Sequence, residues 1–302
     1  MAYQREPVVL AEEFLPYLLE EETECSLAIE QVRVQMEELG EEVPKDPALR
    51  QAWNYYRTAK EVYSLALKGA GKEEVVTEPL VLWVYEKLWE GFSVPKGYRD
   101  TDMVISGARF EPPRPEVVPK VMERVLEWLR NSELEPVRKS AVFHLLFEVI
   151  HPFTDGNGRV GRILMNAVLI EGGLINVAFR DRKRYIEALR EAEEGAVVVV
   201  DKLSRGRKLT DEQITDTVLE YGEVEVFEGL IRDELLHSLK VYGREKDVLL
   251  APSQVAELLG FKNKDYVRVL INRGVLIGRK IGGIWMVPLS EVISYVERKG
   301  SA

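Results

Sequence analysis

The chain has 302 residues, 46% hydrophobic and 30% charged, with a net charge of −10. That is length for about two ordinary domains with real cores, and the acidic balance excludes a chain that coats nucleic acid along its whole length. A single cysteine, Cys25, excludes an internal disulfide. The longest aliphatic run, residues 196–200, is far too short to span a bilayer, and no signal peptide is visible. The expectation is a soluble, cytoplasmic protein with no membrane partner.

Most of the sequence has helical spacing, so the expected fold class is mainly α. "SLAIEQVRVQMEEL" from Ser26 and "PALRQAWNYYRTAKEVYSLAL" from Pro47 read as amphipathic helices, the aromatics of the second as core. Residues 98–119 break the pattern. Their β-friendly "MVIS", Gly107 and Pro112-Pro113 predict a short β-hairpin flap. "VMERVLEWLRN" then puts Val121, Val125, Leu126 and Leu129 on one stripe. "SAVFHLLFEVI" does the same with Ala141, Val142, Leu145, Leu146, Val149 and Ile150. His144 reads as a packing histidine and His237 as a surface one.

The next residues are "HPFTDGNGRVGR", His151 to Arg162. Gly156, Gly158 and Gly161 fit the glycine pattern of a dinucleotide-binding turn. That turn must leave a strand, whereas helical spacing precedes these glycines and Pro152 ends the helix. Asp181 and a strand-like "LINVAF" are what remains for that reading. The chemistry fits another device better. Glycines let a ligand approach the backbone. The helix opening at "RVGRILMNAVLI" offers free N–H groups and its positive dipole end to an anion. Arg159 and Arg162 lie three apart, and two guanidiniums at such a terminus suit a polyphosphate. Asp155 beside phosphates suggests a Mg²⁺ ligand, and His151 a base toward an incoming hydroxyl. The composite predicts magnesium-dependent transfer from a nucleoside triphosphate.

Charge is uneven. Residues 243–302 carry ten Lys/Arg and six Asp/Glu, a net of +4, which leaves −14 on the rest. A boundary is expected at 241–247. Beyond it, "PSQVAELLG" and "KDYVRVLINRG" read as short helices around a "FKNK" turn, "VLIGRKIGGIWMVP" as a β wing, and "LSEVISYVER" as a last helix.

"HPFTDGNGRVGR" matches the signature of the Fic-domain family, H-P-F-x-[D/E]-G-N-G-R-x-x-R. "GYRDTDMVISG" resembles that family's flap and "RKRYIEALREAEEG" the segment after its signature. The resemblance covers residues 24–205. It implies transfer of AMP from ATP to a Ser, Thr or Tyr hydroxyl of a target protein or of the chain itself. By the same resemblance His151 is the base and Asp155 holds Mg²⁺. Gly156, Asn157 and Gly158 form the anion nest, and Arg159 and Arg162 take the β and γ phosphates. Phe153 fixes the loop, Ile105 and Ser106 of the flap clamp the nucleotide, and Tyr185 sits near the adenine. Ile186 and Glu193 depart from the tyrosine and asparagine of many relatives, which leaves UTP, GTP or a phosphocholine conjugate open as donors. Removal of AMP also stays open.

"SLAIEQ" is similar to the inhibitory-helix pattern [S/T]-x-x-x-E-[G/N] of one class of the family, with Ser26 and Glu30 matching and Gln31 departing. It implies that Glu30 pairs with Arg162 in the γ-phosphate's place. The tail resembles excisionase and MerR-type winged helix-turn-helix domains. That implies duplex DNA as a partner, with Lys262, Asn263, Lys264, Tyr266 and Arg268 facing the major groove and Arg279 and Lys280 on phosphate. The expected organisation is an N-terminal helical region with the inhibitory helix (1–95), a catalytic core (96–205), a helical connector that helps dimerise (206–242) and the winged helix-turn-helix (243–302). The rival to an enzyme is a DNA-binding regulator whose body senses nucleotide.

Overall fold

The structure is a computed structural model that describes residues 9–40, 42–69, 75–243, 248–281 and 283–300. Ten helices come first: α1 (Val9–Ile29), α2 (Pro47–Gly69), α3 (Glu78–Leu88), α4 (Val118–Asn131), α5 (Pro136–Ile150), α6 (Asn157–Glu171), α7 (Arg182–Ala192), α8 (Glu194–Ser204), α9 (Asp211–Tyr221) and α10 (Val224–Tyr242). The C-terminal part follows as β1 (Leu249–Leu250), α11 (Pro252–Leu259), α12 (Lys264–Asn272), β2 (Arg279–Ile281), β3 (Ile284–Pro288) and α13 (Leu289–Gly300). Of the expected boundary at 241–247, residues 244–247 lie outside the described residues.

The antiparallel pair α5 and α6 forms the centre. α6 is buried from Asn157 to Ile170 except at Gly158, so its apolar stripe runs all round, as in a helix enclosed on every side. α2, α3, α4, α8 and α10 surround the pair, and one apolar cluster runs without a break from Ala11 to Tyr295. The connector is part of it: Phe227 of α10 is fully buried and stacks on His144 at 5.6 Å.

Three expectations need correction. Residues 98–119 form no hairpin. The backbone there is irregular until a short 3-10 turn at Pro115–Val117 leads into α4, and Ser106-Gly107 make a turn closed by Ala108 N–H on the Ile105 carbonyl (3.2 Å), with Gly107 at φ 79°. "LINVAF" is not a strand either. The Asn166 side chain takes both polar groups of Val177 (2.9 and 3.1 Å), so no sheet is needed to satisfy them. Asp181 caps α7 through the amides of Lys183 and Arg184. With no βαβ unit around the glycines, the dinucleotide reading falls. Finally, the helix through Ser26 starts far earlier than the sequence pattern suggests and stops at Ile29 instead of running to Leu39. Gln31 is left-handed (φ 63°), Gln31 N–H bonds the Ala28 carbonyl and Val32 N–H the Leu27 carbonyl (3.0 and 2.9 Å). This is a Schellman stop.

In the C-terminal part, β3 lies between β1 and β2, antiparallel to both, with Leu249 opposite Pro288 and Lys280 opposite Trp285. Gly260 (φ 67°) ends α11. α11 packs on the body: Glu257 accepts from Val137 N–H at the start of α5 (3.1 Å), and Gln254 donates to the Gly173 carbonyl (2.8 Å).

Candidate active site

The loop between α5 and α6 is held from below. Pro152 cannot extend α5, and His151 leaves the helix in the left-handed region at φ 50°. Phe153 is fully buried, stacked on Tyr85 with centroids 4.0 Å apart. The Asn157 side chain brackets it, accepting from Phe153 N–H (2.8 Å) and donating to its carbonyl (2.7 Å). That amide therefore faces the loop, and only the backbone of Asn157 and Gly158 opens the helix. Gly156, at φ 80°, is the αL N-cap.

His151 is half-buried. Its Nδ1 lies 3.2 Å from the Glu148 carbonyl, so Nδ1 carries the proton and Nε2 is left as the acceptor. Burial pushes the imidazole down to about 4, helped by the nearby Arg99 charge. The ring is neutral, and able to take a proton, at neutral pH.

The two arginines are nearly enclosed, at 4% and 3% exposure for Arg159 and Arg162. Arg159 donates to Gln51 Oε1 (2.6 Å) and lies 4.6 Å over the Trp89 ring. Arg162 is engaged by the end of α1. Nε donates to Ser26 Oγ (2.8 Å), and Nη2 to the Ser26 carbonyl (3.0 Å) and to Glu30 Oε1 (2.7 Å). Burial would raise the Glu30 carboxyl, but the Arg162 charge and hydrogen bond outweigh it and hold the group low. A Cβ on Gly158 would stand 2.6 Å from Glu30 Oε1, so glycine there makes room for the carboxylate. Arg182 Nε donates to the Ile29 carbonyl (2.7 Å) and fixes that end of α1. Against Gly161 sits Glu148, which burial pushes up to about 7 and whose Oε1 has no hydrogen-bond partner.

The other expected residues are scattered. Asp155 is at the mouth, its side chain 68% exposed, with Oδ1 accepting from Gly156 N–H (2.6 Å) and 3.7 Å from Arg159. Tyr185 is not on a pocket wall. It is 1% exposed beneath Arg162, its hydroxyl 2.7 Å from His144 Nε2 and its ring 5.5 Å from the guanidinium. His144 is fully buried in that contact. Ile105 is half-buried and Ser106 exposed at the turn of the 98–119 segment. Glu193 is raised by burial, against the charges of Arg190 and Arg109. Sequence reasoning missed Gln51, Trp89, Arg99 and Arg182 as neighbours of the site. Nothing in their spacing marks them, because each comes from a different element.

The model of the Fic/DOC family matches residues 75–169. A probable protein adenylyltransferase of Aquifex aeolicus is 60% identical over 301 residues, which cover 99% of this chain and 94% of that one. The chain belongs to the Fic/DOC family. The protein adenylyltransferase Fic of Nematostella vectensis is 39% identical over 105 residues, 33% of this chain and 24% of its own. Among solved structures, a Fic domain containing signaling protein from Bacteroides thetaiotaomicron aligns with a TM-score of 0.60 over 77% of this chain and 90% of that one. At 20% identity that likeness speaks for the fold. In this Fic chain the matched segment takes in α3 to α6, the flap segment and the whole signature loop, but not α1 with Ser26 and Glu30.

Proposed function

We propose that this chain is a protein adenylyltransferase, moving AMP from ATP to a hydroxyl of a protein, and that α1 holds it inactive. The observation that carries the reading is the convergence of a neutral His151 and two buried arginines on the open end of α6. Nε2 of His151 takes the hydroxyl proton, and the oxygen attacks the α-phosphorus. The bond from that phosphorus to the bridging oxygen breaks and pyrophosphate leaves. Arg159, Arg162 and the first amides of α6 hold its charge. Asp155 is exposed and adjacent, so it fits a Mg²⁺ ligand shared with phosphate oxygens; among the described residues no three His, Cys, Asp or Glu side chains converge to cage a metal alone. The ion, when bound, neutralises charge on the leaving group.

Arg162 cannot serve a phosphate while Ser26 and Glu30 occupy its donors. Arg162 is nearly enclosed while the Glu30 side chain is 36% exposed; removing Glu30 leaves the enclosed guanidinium without its charge partner, which is costly, and that cost is the brake. The test is wild type, Glu30→Gly and His151→Ala with ATP and Mg²⁺, read by intact mass. An AMP adduct on Glu30→Gly that is weaker on wild type and absent from His151→Ala is expected. Equal labelling of wild type and Glu30→Gly removes the brake.

A second reading concerns the C-terminal part. Lys262, Asn263, Lys264, Tyr266, Arg268, Arg279 and Lys280 are all exposed on α12, the turn before it and β2. That supports a winged helix-turn-helix presenting one polar, basic face to duplex DNA. Asn263 also caps α12, and Arg268 pairs with Asp265 (3.1 Å). Tyr221, Val226 and Val241 of the connector are exposed apolar residues, which is the support for a homodimer contact through the connector.

A further inference from the structure

Arg99 has no part in the chemistry proposed above, yet it is 3% exposed and its polar groups point at backbone carbonyls. Its Nε donates to the His151 carbonyl at 2.9 Å, and its own N–H to the next carbonyl, Pro152, at 2.9 Å. Its Nη1 donates to the Thr101 carbonyl (3.1 Å) and its Nη2 to the Pro113 carbonyl. One side chain thus joins three places: Thr101 near the start of the flap segment, Pro113 beyond its turn, and the point where α5 gives way to the loop.

His151 needs such support. It is one of two non-glycine residues with positive φ among the described residues. A left-handed residue costs about 1–2 kcal/mol and persists where its surroundings over-determine it. A planar guanidinium holds several carbonyls in one fixed geometry, whereas the three donors of an ammonium rotate on a flexible stem. The peptide after His151 is held by Arg99, and the ring by Glu148.

We propose that Arg99 is a positioning residue for the transfer reaction: by tying the flap segment on both sides of its turn, at Thr101 and Pro113, to the carbonyls of His151 and Pro152, it sets where the imidazole stands. This rests on the adenylyltransferase reading. A flap drawn in by a nucleotide or a target would then move the base with it, through a single side chain. The charge of Arg99 also bears on the ring, as do Glu30 and Asp155 from other elements, while the Glu148 carbonyl holds Nδ1.

The test uses the full chain carrying Glu30→Gly, with Arg99→Lys or Arg99→Gln added. Three quantities are read: kcat for AMP transfer, Kd for ATP, and the titration of the His151 ring by NMR. The chain has three histidines, so His151→Ala assigns the signal. A misplaced reacting group costs about 10²-fold, and a kcat loss of that order is expected in both variants, with a clearly smaller change in Kd for ATP, because Arg99 holds the flap segment at Thr101 and Pro113 and not at Ile105 or Ser106. In Arg99→Gln the ring titrates above the parent, because one of the charges that lower it is gone, while burial still holds it below the ordinary imidazole range; in Arg99→Lys, which keeps the charge and loses the fork, it stays close to the parent. A folded Arg99→Gln with unchanged kcat and ring titration overturns the proposal. If Arg99→Gln does not fold, Arg99→Lys with the parent's kcat overturns it as well. If the parent itself transfers no AMP, the enzymatic reading fails, and the ring titration still decides whether Arg99 governs His151.

Discussion

Gln31 stands where the inhibitory pattern has glycine or asparagine, and it is the C′ residue of the Schellman stop that puts Glu30 beside Arg162. At φ 63° a residue with a Cβ carries strain of about 1–2 kcal/mol relative to glycine. On the proposed inhibition by α1, releasing Glu30 by unwinding this turn frees that strain, so a weaker brake is expected than with glycine. Gln31→Gly removes the strain from the closed state, while its greater freedom in the released state offsets about 0.5–1 kcal/mol. A net gain of about 0.5–1 kcal/mol for the closed state lowers the active fraction by about two- to five-fold. Asparagine tolerates the left-handed region without glycine's freedom, so Gln31→Asn is expected to act in the same direction. The assay is the initial rate of self-labelling with ATP and Mg²⁺, in wild type and in the Glu30→Gly background. Slower labelling in the first and no change in the second is expected. An unchanged wild-type rate, or an equal drop without Glu30, refutes the reasoning.

Two further outcomes are expected of the same fold. Glu22, one turn before Ser26 on α1, is 2% exposed and accepts from Tyr55 (2.7 Å), Tyr63 (2.6 Å) and Asn176 (2.8 Å), yet burial pushes its carboxyl up from 4.5 to about 7. The folded value exceeds the unfolded one, so its stabilisation is full below about 4.5 and is lost as pH rises through about 7. Glu22→Gln is therefore expected to flatten the fall of Tm between pH 5 and 9, and an identical slope in both proteins counts against this. The DNA reading of the C-terminal part predicts duplex binding whose affinity falls steeply between 50 and 200 mM salt, by about 10-fold or more; no binding even at low salt ends that reading.

The signature loop was legible in the sequence because it is local. His151 to Arg162 is one continuous stretch, in which helix spacing, a proline stop and glycines dictate a helix–turn–helix whose second terminus is open. The helices of the tail were legible for the same reason, with Gly260 and Gly274 at positive φ past their ends. Only the tertiary structure decided which groups meet that loop. Glu30 reaches Arg162 across 132 positions and Gln51 reaches Arg159 across 108; no periodicity encodes such a pairing, which depends on how α1 and α2 pack on α6. The burial of Tyr185 and the unpaired flap were likewise matters of packing, since a tyrosine in a helix and a β-friendly tetrapeptide have the same local pattern whether or not a partner lies beside them. Sequence settled what each segment is, through interactions a few residues long. The fold settled what the segments do to one another, because burial and charge pairing depend on distance in space.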